Sequence, residues 1–266
     1  MVAEESRFAQ RQVWQQAHFG AKLLYSESKY IDGFSQLPVV TVIIPAYNEE
    51  GNIGGVLSDT IAVMDHLCVR YEVIVVDDGS TDDTKSVASD FPVTLLANKK
   101  NRGKGYCIRK ALERSQGDII VTMDSDGEHK PREIPALIEP LFNGADVVAG
   151  SRFLGDNAYV TTRLNRIGNS LFNAAILTLT GRHVTDSQTG FRAIKKEIIK
   201  KFRLESNGYE IETEITMKSL KNGFVFQEKP IHVERRKNGN SKLELLSDGK
   251  EILKTILRTN FAETLH

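Results

Sequence analysis

From Val39 onward, short apolar runs alternate with stretches at helical spacing, and acidic or polar clusters follow the runs. Val39–Ile44, Tyr71–Val76, Val93–Ala97, Asp118–Met123 and Asp146–Ala149 read as strands, the first of them buried. Gly51–Leu67, Asp82–Ser89, Gly105–Ser115 and Pro131–Phe142 read as the helices between them. Strand and helix in succession predict an α/β fold, a mostly parallel central sheet with helices packed over it. Ligands of such open sheets bind beyond the carboxyl ends of the strands. The polar clusters fall there: Tyr47-Asn48-Glu49-Glu50, Asp77-Asp78-Gly79-Ser80 and Asp124-Ser125-Asp126.

Asp124-Ser125-Asp126 carries the most chemistry, because two carboxylates one residue apart at a strand end repel each other. A hard cation such as Mg²⁺ or Mn²⁺, seated between them and a phosphate-bearing ligand, turns that repulsion into binding. A nucleotide diphosphate would be such a ligand. An isolated Asp-X-Asp is more often an Asx turn or a cap for the helix opening near Pro131, so the neighbouring motifs must decide.

After Gly150 the pattern changes. Arg163–Thr180 places Leu164, Ile167, Leu171, Ala175, Ile176 and Leu179 at helical spacing, with Arg163 and Arg166 in its first turn and Gly181 at its end. Ala193–Phe202 and Glu210–Leu220 also read as helices, and Phe224–Lys229 as a strand. Lys229–Lys242, with Arg235, Arg236, Lys237 and Lys242 around Asn238-Gly239-Asn240, reads as a basic, mobile loop. The expected organisation is a helical extension over 1–38, one domain over 39–243 and an amphipathic C-terminal helix within 244–266.

With 266 residues, 40% of them hydrophobic, one large core is affordable. Lys plus Arg and Asp plus Glu both number 35, which gives no electrostatic case for a nucleic-acid partner. Cys68 and Cys107 lack metal-ligand spacing and suit a reducing cytoplasm as small core residues. No apolar run approaches the roughly 20 residues that span a bilayer, and residues 1–38 lack the continuous apolar core of a secretory signal.

Taken in order, Val42-Ile43-Ile44-Pro45-Ala46-Tyr47-Asn48-Glu49-Glu50, Val75-Val76-Asp77-Asp78-Gly79-Ser80-Thr81-Asp82, Asn101-Arg102-Gly103-Lys104-Gly105 and Asp124-Ser125-Asp126 resemble the signatures of the inverting glycosyltransferase family two. That resemblance implies the GT-A fold, a Rossmann-like sheet with helices on both faces. Gly150-Ser151-Arg152-Phe153, Gly168-Asn169 with Phe172-Asn173, and Asp186-Ser187-Gln188-Thr189-Gly190-Phe191-Arg192 resemble the branch that includes dolichyl-phosphate mannose and glucose synthases. So do Glu210–Glu214 and the later Arg235, Arg236, Gly239, Ser241 and Lys242. The resemblance runs from about Val39 to Arg258.

It implies that Pro45, Tyr47 and Glu49 contact the nucleotide base and ribose, and that Asp78 joins them from the next loop. Lys104 would bring charge to the nucleotide side, with Gly103 and Gly105 admitting a close backbone approach. Asp124 and Asp126 would hold the metal, Asp126 more directly, and Glu128, where related synthases often carry glutamine, could complete its shell. The Gln-X-X-Arg-Trp motif of processive synthases is absent, and the only tryptophan is Trp14.

The implied reaction moves a hexose from a UDP- or GDP-sugar to an acceptor by a single displacement with inversion. A hydroxyl acceptor needs a carboxylate base, which Asp186 would supply. A polyprenyl or dolichyl phosphate, already ionised with a second pKa near 6, needs only cationic positioning, for which Arg152, Arg163 and Arg166 are candidates. The lipid phosphate is the leading expectation, at the cytoplasmic face of a membrane that the chain meets peripherally through Arg163–Thr180 and Glu244–Arg258. A hydroxyl-acceptor transferase is the alternative, followed by a nucleotidyltransferase and a non-catalytic nucleotide-sugar-binding module.

Overall fold

The computed structural model describes residues 38–67, 69–155, 163–234 and 245–262. The expected helical extension over 1–38, Pro38 apart, lies outside them, as does the basic stretch from Arg235 to Lys242.

Strand β1 (Val40–Ala46) leads to α1 (Ile53–His66), β2 (Tyr71–Asp77), α2 (Thr84–Ser89), β3 (Thr94–Ala97) and α3 (Lys104–Arg114). Then follow β4 (Ile119–Thr122), a 3₁₀ turn at Pro131–Glu133, α4 (Ile134–Phe142), β5 (Val147–Ser151) and α5 (Arg163–Thr180). The chain closes with β6 (Arg192–Lys195), α6 (Lys196–Ile199), α7 (Ile211–Lys221), β7 (Phe226–Pro230) and α8 (Leu245–Phe261). The strands form one seven-stranded sheet in the order β3-β2-β1-β4-β6-β5-β7. Both of its faces are covered. Val42 and Ile44 pack with Val73, Val75 and Val121 under Ile53, Leu57 and Leu137, while Ile43, Ile74, Val76 and Ile120 pack against Ile108, Ala111, Ile211 and Ile215. Burial on both faces is why these strands read as continuous apolar runs rather than alternating ones.

The sequence expectation of a helix over Ala193–Phe202 is corrected. Ala193 faces one core and Ile194 the other, which is the two-residue period of a strand, and only Lys196–Ile199 is helical. A four-residue strand is too short for that period to stand out, and the apolar residues at 193, 194, 198, 199 and 202 imitate helical spacing. Strand β6 runs antiparallel to both β4 and β5, whereas all other pairs are parallel. Its sense decides the site. Arg192, the first residue of β6, lies opposite Thr122 and Ala149 near the carboxyl ends of β4 and β5, so the segment Asp186–Phe191 crosses the edge where ligands of such sheets bind.

Helix α8 packs on α7 and α5 through Ile252 and Ile256, which share a third cluster with Ile176, Val184 and Met217. Lys221 closes its carboxyl end, donating to the carbonyls of Thr259 (3.2 Å), Asn260 (2.8 Å) and Ala262, where the helix dipole favours a cation.

Candidate active site

The loops after β1 and β2 are knitted together. Asn48, at φ +50°, takes the N–H of Thr81 on its side-chain oxygen at 2.8 Å and donates its own N–H to Ser80 Oγ at 3.0 Å. Glu50 and Asp82 lock the same pair of loops: Asp83 N–H donates to Glu50 Oε2 at 2.9 Å and Glu50 N–H to Asp82 Oδ2 at 3.2 Å. Pro45 and Tyr47 are half-buried beside this joint. Glu49 is buried, accepts from Asn52 Nδ2 at 2.7 Å and donates its N–H to Thr84 Oγ1 at 2.6 Å. Asp78 is buried and accepts from Asn98 Nδ2 (2.7 Å), Arg102 N–H (2.9 Å) and Gly103 N–H (2.8 Å). It thereby fixes the turn that delivers Lys104 at the start of α3. Gly103 sits at φ +93° with the Asn207 carbonyl against it, a place closed to any side chain.

Lys104 lies beside Asp124, one of the two acids expected to hold the metal. Its Nζ is buried between Asp124 Oδ1 and Glu212 Oε1, the latter at 2.6 Å, so its charge is shared by two carboxylates of the protein. Burial opposes the charge of Lys104, but Asp124 and Glu212 outweigh it and raise the pKa above that of an ordinary lysine. Burial also opposes ionisation of Asp124, yet Lys104 beside it brings the carboxyl down to about 2. Burial pushes Glu212 the other way, above the usual carboxylate range, against the pull of Lys104. The Glu212 oxygens lie within ion-pair distance of Lys104 on one side only and meet no hydrogen-bond geometry, which leaves Oε2 a buried, unsatisfied acceptor. Directly above lies Gly190: a Cβ there would sit 2.7 and 2.9 Å from the Asp124 oxygens and closer still to Lys104 Nζ.

His129 supports Asp124 from below. Asp124 N–H donates to His129 Nδ1 at 3.4 Å, which requires an unprotonated Nδ1, and burial lowers the ring pKa accordingly. The ring also approaches Asp124 Oδ2 at 3.6 Å, and that carboxylate opposes the effect of burial on the ring. It stacks on Phe191 with centroids 5.1 Å apart.

Asp126 takes the N–H of Glu128 on Oδ1 at 3.0 Å. Among the described residues no three side chains of His, Cys, Asp or Glu converge on a metal-sized centre, so Asp124, Asp126 and Glu128 do not form a ready-made cage. The donors on offer are carboxylate oxygens, and one or two such groups plus substrate phosphates are the usual setting for Mg²⁺. The residues present fit a metal of that kind held jointly with a diphosphate.

A second polar cluster is built around Asp186, which is 0% exposed. Arg152 grips it through Nε (2.7 Å to Oδ2), Nη2 (2.9 Å to Oδ1) and its backbone N–H (3.1 Å to Oδ2). The guanidinium groups of Arg152 and Arg166 both approach the Phe153 ring, at 5.7 and 6.0 Å from its centroid, so the two expected arginines flank one aromatic side chain. Arg163 opens α5 one turn earlier. Glu228 on β7 holds the segment from behind, accepting the N–H groups of Thr185 (2.8 Å) and Asp186 (2.9 Å). Arg192, wholly buried, donates to the carbonyls of Thr189 (2.8 Å) and Ser187 (2.9 Å) and to Thr216 Oγ1 (2.8 Å). Burial lowers its pKa to about 10, with Glu212, Asp186 and Glu228 opposing the shift.

Sequence reasoning missed Glu212, His129, Gly190, Arg192 and Glu228 as parts of the site. Glu212 stood within a stretch already noted, but an acid on a helix reads as solvent-facing, and nothing in the pattern reveals that residues 211–217 are all buried.

A mostly parallel sheet whose carboxyl edge carries paired acids and a buried lysine, with helices on both faces, has the architecture of the GT-A fold. Residues 41–203 match the family described as Glycosyl transferase family 2, and the chain belongs to that family. Glycosyltransferase AglJ of Haloferax volcanii is 32% identical over 225 residues, covering 82% of this chain and 71% of that protein. Dolichol-phosphate mannosyltransferase of Pyrococcus furiosus is 32% identical over 213 residues, covering 77% of this chain but only 59% of that longer protein. Glucosyl-3-phosphoglycerate synthase from Mycobacterium tuberculosis, solved with Mn²⁺, uridine diphosphate and glucosyl-3-phosphoglycerate, aligns with a TM-score of 0.71 over 92% of this chain and 85% of that one. At 23% identity this last likeness speaks to the fold alone. The protein is a glycosyltransferase.

Proposed function

We propose that the enzyme transfers a hexose, with inversion, from a UDP- or GDP-sugar to a polyprenyl or dolichyl phosphate at the cytoplasmic face of a membrane. The loops carrying Pro45, Tyr47, Glu49 and Asp78 would frame the base and ribose. Asp126, with Asp124 beside it, would hold Mg²⁺ or Mn²⁺ against the diphosphate, Glu128 remaining a candidate further ligand; the bound metal would supply counter-charge to the leaving group. Lys104 keeps Asp124 ionised and in place. Arg152 and Arg166, gathered on Phe153, would orient the acceptor phosphate. One of its oxygens forms the new bond to the anomeric carbon from the face opposite the nucleotide, the bond to the diphosphate breaks, and the nucleoside diphosphate departs with the electron pair.

The observation that carries this reading is the state of Asp186. It is buried, with both oxygens engaged by Arg152 at 2.7 and 2.9 Å, an arrangement suited to positioning a cation rather than receiving a proton from a hydroxyl. A phosphate monoester, with a second pKa near 6, needs no base. The discriminating variant is Asp186→Asn, whose amide oxygen can still accept from Arg152. It is expected to keep transfer to polyprenyl phosphate within about tenfold of the native rate, whereas loss of a general base costs about 10²–10⁴-fold. A loss of the larger size at unchanged donor affinity would favour the hydroxyl-acceptor alternative. A nucleotidyltransferase would instead release pyrophosphate from a nucleoside triphosphate.

A further inference from the structure

An amphipathic helix that only packs on its own domain needs one apolar stripe, and α5 and α8 each carry two. On α8 the inner stripe is Ile252, Thr255, Ile256 and Thr259, all buried. On another side Leu253, Leu257 and Phe261 recur every four residues and are 47%, 46% and 83% exposed. On α5 the inner side is marked by Ile176, and the outer by Ile167 and Leu171 at 57% and 66% exposure. The helices touch, Phe172 of α5 lying 3.7 Å from where a Cβ of Gly249 would stand. Single exposed leucines are ordinary on a soluble surface, but five large apolar side chains on two contacting helices are a patch with a use.

The cations around the patch say what covers it. Helix α5 carries Arg163 and Arg166 and no acidic residue. At 3.6 residues per turn, Lys250 and Lys254 fall on the same side of α8 as Leu253, Leu257 and Phe261, Lys254 also pairing with Glu251 at 3.2 Å. A second copy meeting this face about a two-fold axis would bring like charges together. An anionic bilayer surface answers both features, apolar side chains entering the interface and cations meeting headgroups. No helix among the described residues is long and apolar enough to cross a membrane.

We propose that the outer stripes of α5 and α8 form a docking face for an anionic lipid bilayer, laid so that Arg166, which begins the outer stripe of α5, stands at headgroup level. The inference gains its purpose from the lipid-phosphate reading above, but the docking itself is measurable without turnover.

The full chain is sedimented with phosphatidylcholine vesicles with and without phosphatidylglycerol. Binding is expected only with the anionic lipid and falls as salt rises. Leu253→Ser combined with Leu257→Ser and Phe261→Ser, and separately Lys250→Glu combined with Lys254→Glu, should each lower the bound fraction by about tenfold or more. Both sets are exposed, so thermal melting and transfer to a short-chain, water-soluble polyprenyl phosphate should be retained. Absence of vesicle binding at low salt in a protein active on that soluble acceptor overturns the docking face. So does a concentration-dependent dimer that the triple serine variant dissolves, which would make a second copy the occupant. Vesicle binding that obeys the salt and variant pattern in a protein inactive on every polyprenyl phosphate upholds the docking face and removes the proposed reaction instead.

Discussion

Gly190→Ala is the most informative single-atom perturbation of the site. The added methyl would stand 2.7 Å from Asp124 Oδ2 and 2.9 Å from Oδ1, where ordinary contact begins at 3.4 Å, so the carboxylate is too close by 0.7 and 0.5 Å. Lys104 Nζ is nearer still and cannot simply swing away, because Asp124 and Glu212 hold it from two sides in a buried pocket. Asp124 and Lys104 must therefore shift by roughly half an ångström or more. Misplacement of about 1 Å costs up to about 10²-fold in rate, so a loss of roughly 10- to 100-fold in kcat/KM is expected, about 1.4–2.8 kcal/mol of transition-state stabilisation. Overpacking of a tight interior adds about 1–3 kcal/mol of destabilisation, a fraction of the total stability of a domain this size. The assay is nucleoside diphosphate release at a temperature well below the variant's melting point, so that folded enzyme is compared with folded enzyme. Native kcat/KM in a Gly190→Ala protein with a native melting curve would refute the geometry of the Lys104, Asp124 and Gly190 cluster.

Asp126→Ala should abolish transfer, and excess chelator should do the same to the native enzyme; full activity in chelator would remove the metal from the reaction. Glu128→Gln should keep substantial activity with a changed preference between Mg²⁺ and Mn²⁺, and an inactive but folded variant would give the acid a separate role. Arg166→Ala should raise KM for polyprenyl phosphate by about tenfold or more, the scale of a lost charge-assisted hydrogen bond, while calorimetry shows donor affinity nearly unchanged. Equal loss of donor affinity would place Arg166 with the nucleotide instead.

The sheet, its helices and the carboxyl-edge clusters were legible because strands buried on both faces announce themselves as apolar runs, as Val42–Ile44 and Val73–Val76 do. Strand β6 was not legible, since its four residues reverse direction between two parallel neighbours and no local pattern records a reversal. The approach of Arg152 and Arg166 to one ring and the pairing of Arg152 with Asp186 bring together residues 14 and 34 positions apart, a proximity that sequence order alone does not specify. The resemblance put Lys104 on the nucleotide side of the pocket, and the sequence carried no sign of its second carboxylate neighbour. That neighbour is Glu212, 108 positions away on a helix whose two acids, Glu212 and Glu214, are both buried.

The proposed reaction is tested most directly by offering a nucleotide-sugar with divalent metal and two acceptors of equal chain length, a polyprenyl phosphate and the corresponding polyprenol. The buried, arginine-held Asp186 and the arginines converging on Phe153 predict a glycosyl phosphoryl lipid, of inverted anomeric configuration, from the phosphate and no product from the alcohol. Transfer to the polyprenol at a comparable rate, or to the phosphate with retained configuration, would contradict it.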